Sequence, residues 1–166
     1  MKFAFYTLGC KTNQYETQAM EQAKLAAEEG EVPVGAVLVF DGQVVGVGRN
    51  RRETKKNALC HAEIEAIHQA CTNLSGWRLH KGELFVTLEP CPMCAGAALS
   101  ARVKRIVYGA PDRNCGALGS ALNLNEHYAL HQAEVKSGVL EGECADLLSD
   151  FFRDLRKKRG KKNENM

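Results

Sequence analysis

The chain has 166 residues, 45% of them hydrophobic and 25% charged, an ordinary globular balance that allows one domain with a buried core and excludes a second catalytic domain. No apolar run approaches a membrane span, and seven cysteines, an odd number without disulfide-framework spacing, exclude a disulfide scaffold and point to a reducing cytoplasm. The net charge of +2 is unevenly placed: Arg153 to Met166 carries seven Lys or Arg against two acidic residues, a net +5 that leaves −3 elsewhere.

The opening Met1 to Cys10 has the outline of a short signal, but its apolar stretch is too brief for a secretory core. Asn13 and Glu16 form an N-cap and N3 pair for a first helix reaching Gly30, and Tyr15, Ala19, Ala23 and Ala26 give it a small-residue face that packs closely on a sheet. Val34 to Phe40 and Gln43 to Gly48 read as strands joined by the hairpin signal Asp41-Gly42. Asn50 closes the second strand, where its amide can contact a nucleoside or cap a turn. The basic loop Arg51 to Asn57 has no apolar period and is expected to be exposed.

A second helix runs from about His61 to Cys71 with Ile64, Ile67 and Ala70 buried and His68 on the surface. Trp77 follows in a loop and is expected to cover apolar surface. Leu84 to Leu88 is a central apolar strand, and Pro92 suits the first turn of a third helix. Arg105 to Tyr108 is a fourth strand, and Asp112 beyond it either forms a turn or accepts a bond from a ribose hydroxyl. Glu134 to Val139 reads as the last strand, and Glu143 to Lys158 as a terminal helix with Leu147, Leu148, Phe151 and Leu155 on one stripe. The pattern predicts an α/β three-layer α/β/α sandwich around a mixed five-stranded sheet.

Chemistry concentrates in His61-Ala62-Glu63 and Pro90-Cys91-Pro92-Met93-Cys94. One imidazole and two thiols form a borderline-soft donor set that suits Zn2+, and three donors leave a position open for water. If His61 opens one helix and Cys91 and Cys94 another, both N-termini converge on the ion and favour thiolates. The competing readings are a structural zinc closed by Cys60, Cys71 or Cys115, or ordinary buried cysteines. The combination H-x-E with P-C-x-x-C is the signature of zinc deaminases, in which the glutamate moves protons.

From about Met20 to Lys158 the chain resembles the tRNA-specific adenosine deaminases. The resemblance runs through Glu31-Val32-Pro33-Val34-Gly35-Ala36-Val37, Gly48-Arg49-Asn50-Arg51, His61-Ala62-Glu63-Ile64 and Leu88-Glu89-Pro90-Cys91-Pro92-Met93-Cys94-Ala95-Gly96-Ala97. It continues through Gly109-Ala110-Pro111-Asp112, Gly116-Ala117-Leu118-Gly119-Ser120 and Leu147-Leu148-Ser149-Asp150-Phe151-Phe152. It implies a cytidine deaminase-like fold, a homodimer, one zinc per subunit held by His61, Cys91 and Cys94, and Glu63 as the catalytic acid and base. It also implies a substrate pocket formed by Pro33, Val34, Asn50, Pro90 and Asp112, and wobble adenosine of a tRNA anticodon stem-loop, an arginine tRNA, as substrate. The basic end reads either as a phosphate-contacting arm, with Arg153, Arg156 and Lys157 as its contacts, or as a solvated helix end.

Residues 1–12 stand outside this resemblance. The first twenty or so residues look instead like the start of a radical-SAM tRNA methylthiotransferase, where the residue matching Cys10 helps hold an iron–sulfur cluster. No C-x-x-x-C-x-x-C follows, so no cluster is expected. The expected organisation is an atypical extension at 1–12, a deaminase domain at 13–158 and a basic, unstructured tail at 159–166. A guanine or other free-base deaminase is the enzymatic alternative, and a zinc-stabilised RNA-binding module the non-enzymatic one.

Overall fold

The computed structural model describes the chain from residue 11 to residue 164, and its side chains from 14 to 160. Cys10 and the start that precedes it lie outside these residues. The element order is α1 (Lys11–Glu28), β1 (Gly35–Phe40), β2 (Gln43–Arg49), α2 (Ala62–Asn73), β3 (Gly82–Leu88), α3 (Pro92–Ser100), β4 (Arg105–Ala110), α4 (Leu124–His127), β5 (Glu134–Lys136) and α5 (Glu141–Glu164).

The five strands form one mixed sheet in the order β2-β1-β3-β4-β5. β1 is antiparallel to β2 and β3, whereas β3, β4 and β5 run parallel. Asp41 and Gly42 both take positive φ, 49° and 77°, the geometry of a tight hairpin turn whose twist matches its strands. Strand alternation sends Ala36, Leu38, Leu84, Val86, Ile106 and Tyr108 to the face covered by α2 and α3. It sends Val37, Val39, Phe85 and Val107 to the opposite face, where Ala19 of α1 packs. The expected sandwich with its five-stranded sheet is the observed one.

Two glycines set the depth at which α2 lies on the sheet. A Cβ at Gly46 would collide with the Ala66 carbonyl, and one at Gly48 with the Ala62 carbonyl. The first turn of α2 is thereby pressed onto β2, and this fixes where His61 and Glu63 sit.

Several boundaries differ from expectation. α1 already includes Lys11, so Asn13 does not cap it, and Glu16 is buried on the face that carries Ala19, Met20 and Ala23. β5 stops at Lys136 because Gly138 turns the chain with φ of 78°. α4 is a short helix with no strong sequence period. The tail expected to be unstructured from 159 is helical to Glu164, since Lys and Arg are good helix formers and their charge suits a helix C-terminus. Trp77 is 51% exposed, with the Arg78 guanidinium 4.2 Å over its ring. None of the described helices is long and apolar enough to cross a membrane.

Candidate active site

His61 is the N-cap of α2 and Cys91 the N-cap of α3, each with extended backbone and neither side chain spent on capping. Cys94 follows one turn into α3. Both side chains are therefore free to meet between the two helix starts. The donor atoms of His61, Cys91 and Cys94 all lie within 4.8 Å of one another. His61 Nδ1 stands 3.5 Å from Cys94 Sγ and 3.8 Å from Cys91 Sγ.

The electrostatics of this group call for a cation. The hydrogen bond from Cys94 does most to bring the Cys91 thiol down to about 4, with His61 helping and burial opposing. Cys94 is pushed far up in turn, first by Cys91 and then by burial. His61 is raised chiefly by its hydrogen bond with Cys91. A divalent ion would let both sulfurs be thiolates, and N–S–S donors suit zinc. Cys60, Cys71 and Cys115 do not join the group, so among the described residues it has three protein donors.

Glu63 lies in the first turn of α2, only 3% exposed, and burial is the main reason its carboxyl is raised above the usual range. Its Oε2 has no hydrogen-bond partner among the described residues. A buried polar atom without a partner costs on the order of 1–3 kcal/mol. Such an atom beside three metal-type donors fits a site built to hold an ion and a reacting group.

A cavity of about 220 Å³ opens in front of these side chains. Of the residues expected at the substrate pocket, Val34, Asn50 and Asp112 line it together with His61, Glu63 and Cys91. Pro33 and Pro90 do not line it. The Val34 N–H donates to the Val32 carbonyl at 2.8 Å, a tight turn centred on Pro33, and Val32 and Val34 line the cavity while Pro33 is buried outside its lining. Pro90 is also buried, and its carbonyl accepts the Ala117 N–H at 2.9 Å.

Asn50 is 8% exposed and serves the turn as well as the cavity. Its Nδ2 donates to the Val32 carbonyl at 3.2 Å and its Oδ1 accepts the Arg52 N–H at 3.3 Å. Asp112 likewise holds its own turn, accepting the N–H groups of Asn114 and Cys115 on Oδ1 at 2.9 and 3.1 Å. The two readings of each residue are compatible.

Arg52, Leu88, Glu89 and Cys115 line the cavity without having been singled out as substrate contacts, and Val32 lines it as the resemblance implied for the Val32-Pro33-Val34 corner. Cys115 and Arg52 sit on loops, whose reach no local pattern reveals. Val32, Leu88, Asp112 and Cys115 also border an adjoining hollow of about 570 Å³ that extends to Arg113, Leu148 and Phe152. Phe152 of α5 is 40% exposed there, outside the packed core. Arg153, Arg156 and Lys157 do not reach the cavity. Arg153 pairs with Asp150 at 2.6 Å, Lys157 with Asp154 at 3.9 Å, and Arg156 has no ion pair among the described residues.

Comparison with known proteins places this geometry. The MafB19-like deaminase family matches residues 11–156, so the chain is a deaminase, an enzyme that hydrolyses a C–N bond. It is 50% identical over 153 residues to the tRNA-specific adenosine deaminase of Bacillus subtilis (strain 168), covering 92% of this chain and 95% of that protein. Its fold matches a tRNA A34 deaminase solved in a study of A-to-I editing at the wobble position, with a TM-score of 0.76, 40% identity and coverage of 82% and 99%. A guanine deaminase from Bacillus subtilis matches with a TM-score of 0.57 and 36% identity over 60% of this chain and 64% of that one. The chain belongs to the tRNA-specific adenosine deaminase family.

Proposed function

We propose that the protein deaminates adenosine to inosine at the wobble position of a tRNA, an arginine tRNA by family resemblance, with one zinc per subunit held by His61, Cys91 and Cys94. The observation that carries this reading is the unpartnered, buried Oε2 of Glu63 beside three metal-type donors in a purine-sized cavity. When bound, zinc supplies the Lewis acidity that lets a water lose its proton near neutral pH. Glu63 takes that proton and delivers it to the adenine ring nitrogen as the water oxygen bonds to C6. Ammonia leaves, and water and adenosine have become inosine and ammonia.

The burial that raises Glu63 suits this work, because a carboxyl poised nearer neutrality can both accept and return a proton. Val32, Val34 and Leu88 give the base an apolar slot that excludes bulk water. Asn50 offers the remaining valences of its amide to the nucleoside, and Asp112 Oδ2 accepts from the ribose hydroxyl. An anticodon base can be splayed into such a slot without breaking a duplex. The hollow leading to Phe152 and α5 suits the neighbouring nucleotides, with Arg153, Arg156 and Lys157 toward phosphates.

The same reading includes a deaminase domain over 13–158, a cytoplasmic location and a homodimer. The match to a guanine deaminase favours free guanine as a second reading. Incubating zinc-loaded protein with an anticodon stem-loop bearing a wobble adenosine, beside a free-guanine control, separates the two. Inosine that declines steeply with added salt is expected, and guanine turnover without inosine would replace the proposal.

A further inference from the structure

Glu89 is a buried carboxylate that the deamination steps leave unused. It is 2% exposed, it directly follows β3 two residues before Cys91, and it lines the cavity. Three backbone N–H groups from a single loop converge on it. Asp112 donates to Oε2 at 3.0 Å, while Leu118 and Ser120 donate to Oε1 at 3.0 and 3.1 Å. The loop is fitted around this carboxylate: a Cβ at Gly116 would collide with the Glu89 carboxyl group and the Asp112 carbonyl. Its other backbone bonds are Gly116 N–H to the Asp112 carbonyl at 2.8 Å, Ala117 N–H to the Pro90 carbonyl at 2.9 Å, Gly119 N–H to the Leu122 carbonyl at 2.9 Å, Ala121 and Leu122 N–H to the Gly116 carbonyl at 3.0 and 3.1 Å, and Leu124 N–H to the Ala117 carbonyl at 2.8 Å; of these only the first touches Asp112.

The tethers form a chain of command. Glu89 fixes the Asp112 backbone, and Asp112 Oδ1 then fixes Asn114 and Cys115. With Oδ1 so engaged, Oδ2 is the oxygen left for a ligand, and its direction depends on where Glu89 holds the Asp112 backbone.

We infer that Glu89 is a positioning residue for substrate: its buried carboxylate holds the 111–120 loop so that Asp112 meets the ribose of the nucleoside being deaminated. The inference rests on the proposed RNA substrate and adds to it the source of sugar selectivity. A glutamine has one acceptor oxygen where glutamate has two. If that oxygen keeps Leu118 and Ser120, the amide N–H2 faces the Asp112 N–H, donor against donor, and this bond alone is lost.

The test uses the zinc-loaded full chain and two stem-loops, one with adenosine and one with 2′-deoxyadenosine at the reacting position. Glu89→Gln is expected to raise KM for the ribose substrate about tenfold while kcat stays within about twofold, and to lower the ribose-over-deoxyribose preference by the same factor as KM rises. Asp112→Ala is expected to produce a similar loss, and the double variant to be no worse than either single one. Gly116→Ala, which displaces the loop from its other side, should reproduce the pattern should Glu89→Gln fold poorly. Wild-type KM and preference in Glu89→Gln, or losses that multiply in the double variant, would overturn the role of Glu89. A wild-type enzyme that makes no inosine from either stem-loop would instead remove the proposed function.

Discussion

One cavity has two kinds of wall. The side built from the starts of α2 and α3 presents Glu63, 3% exposed, with an oxygen that none of the described residues satisfies. The opposite side, built on the 111–120 loop, is held by Glu89, 2% exposed, whose two oxygens take three backbone N–H groups. The same residue type at the same depth is strained on one wall and saturated on the other. An unsatisfied buried carboxylate persists where a ligand completes it, whereas a satisfied one supplies architecture. The comparison assigns chemistry to the helix starts and geometry to the loop.

The largest effects should come from the unsatisfied wall. Glu63→Ala is expected to keep its zinc, read by metal analysis, and to lose about 10²–10⁴-fold in kcat. Cys91→Ala should lose both metal and turnover. An active Glu63→Ala enzyme would break the contrast at its strongest point. Next comes the substrate side, where Asn50→Ala should lower kcat/KM on the stem-loop by about tenfold to a hundredfold with zinc retained. Equal loss on free guanine would move Asn50 from RNA recognition to base recognition.

Smaller still is the effect of charge on α5. Arg156→Ala should raise KM a fewfold and reduce the salt slope by about 0.7, the share of one single-stranded phosphate. Arg153 and Lys157 already pair with Asp150 and Asp154, so their replacement should change the slope less. An unchanged slope in all three variants would make the helix end a solvated one.

Glu16 sharpens the contrast through stability, because it too is buried with neither oxygen hydrogen-bonded among the described residues, and among those residues it joins no metal-type donor group. Burial raises its carboxyl above 4.5, with Lys136 and Arg105 opposing. The folded state therefore binds its proton more tightly than the unfolded state does. The stability this confers is complete below pH 4.5 and is lost as pH rises through the raised value. Glu16→Gln should increase Tm by a few degrees at neutral pH, and the gain should close as pH falls below 4.5. A pH-independent gain would mean packing, not charge, sets the cost.

The metal wall was legible in the sequence because its three donors and Glu63 lie in two short motifs at the starts of helices, where local spacing fixes direction. The sheet was legible too, since the continuous apolar runs Val34 to Phe40 and Leu84 to Leu88 report their own burial. Glu89 was not, because its partners lie 23, 29 and 31 residues further along the chain and only the folded loop brings them back. Glu16 was misread as a capping partner of Asn13 for a related reason. A helix start is a local guess, and the face that packs on the sheet is decided by tertiary contact. Pro33 and Pro90 were named from motif membership alone, and neighbours of a site residue often point away from it.

The central claim is that three protein donors leave one position free beside Glu63. X-ray absorption at the zinc edge of the purified protein tests it directly. Two sulfurs, one imidazole nitrogen and one light solvent-derived oxygen are the expected shell. A third sulfur or a second imidazole in that shell would contradict it.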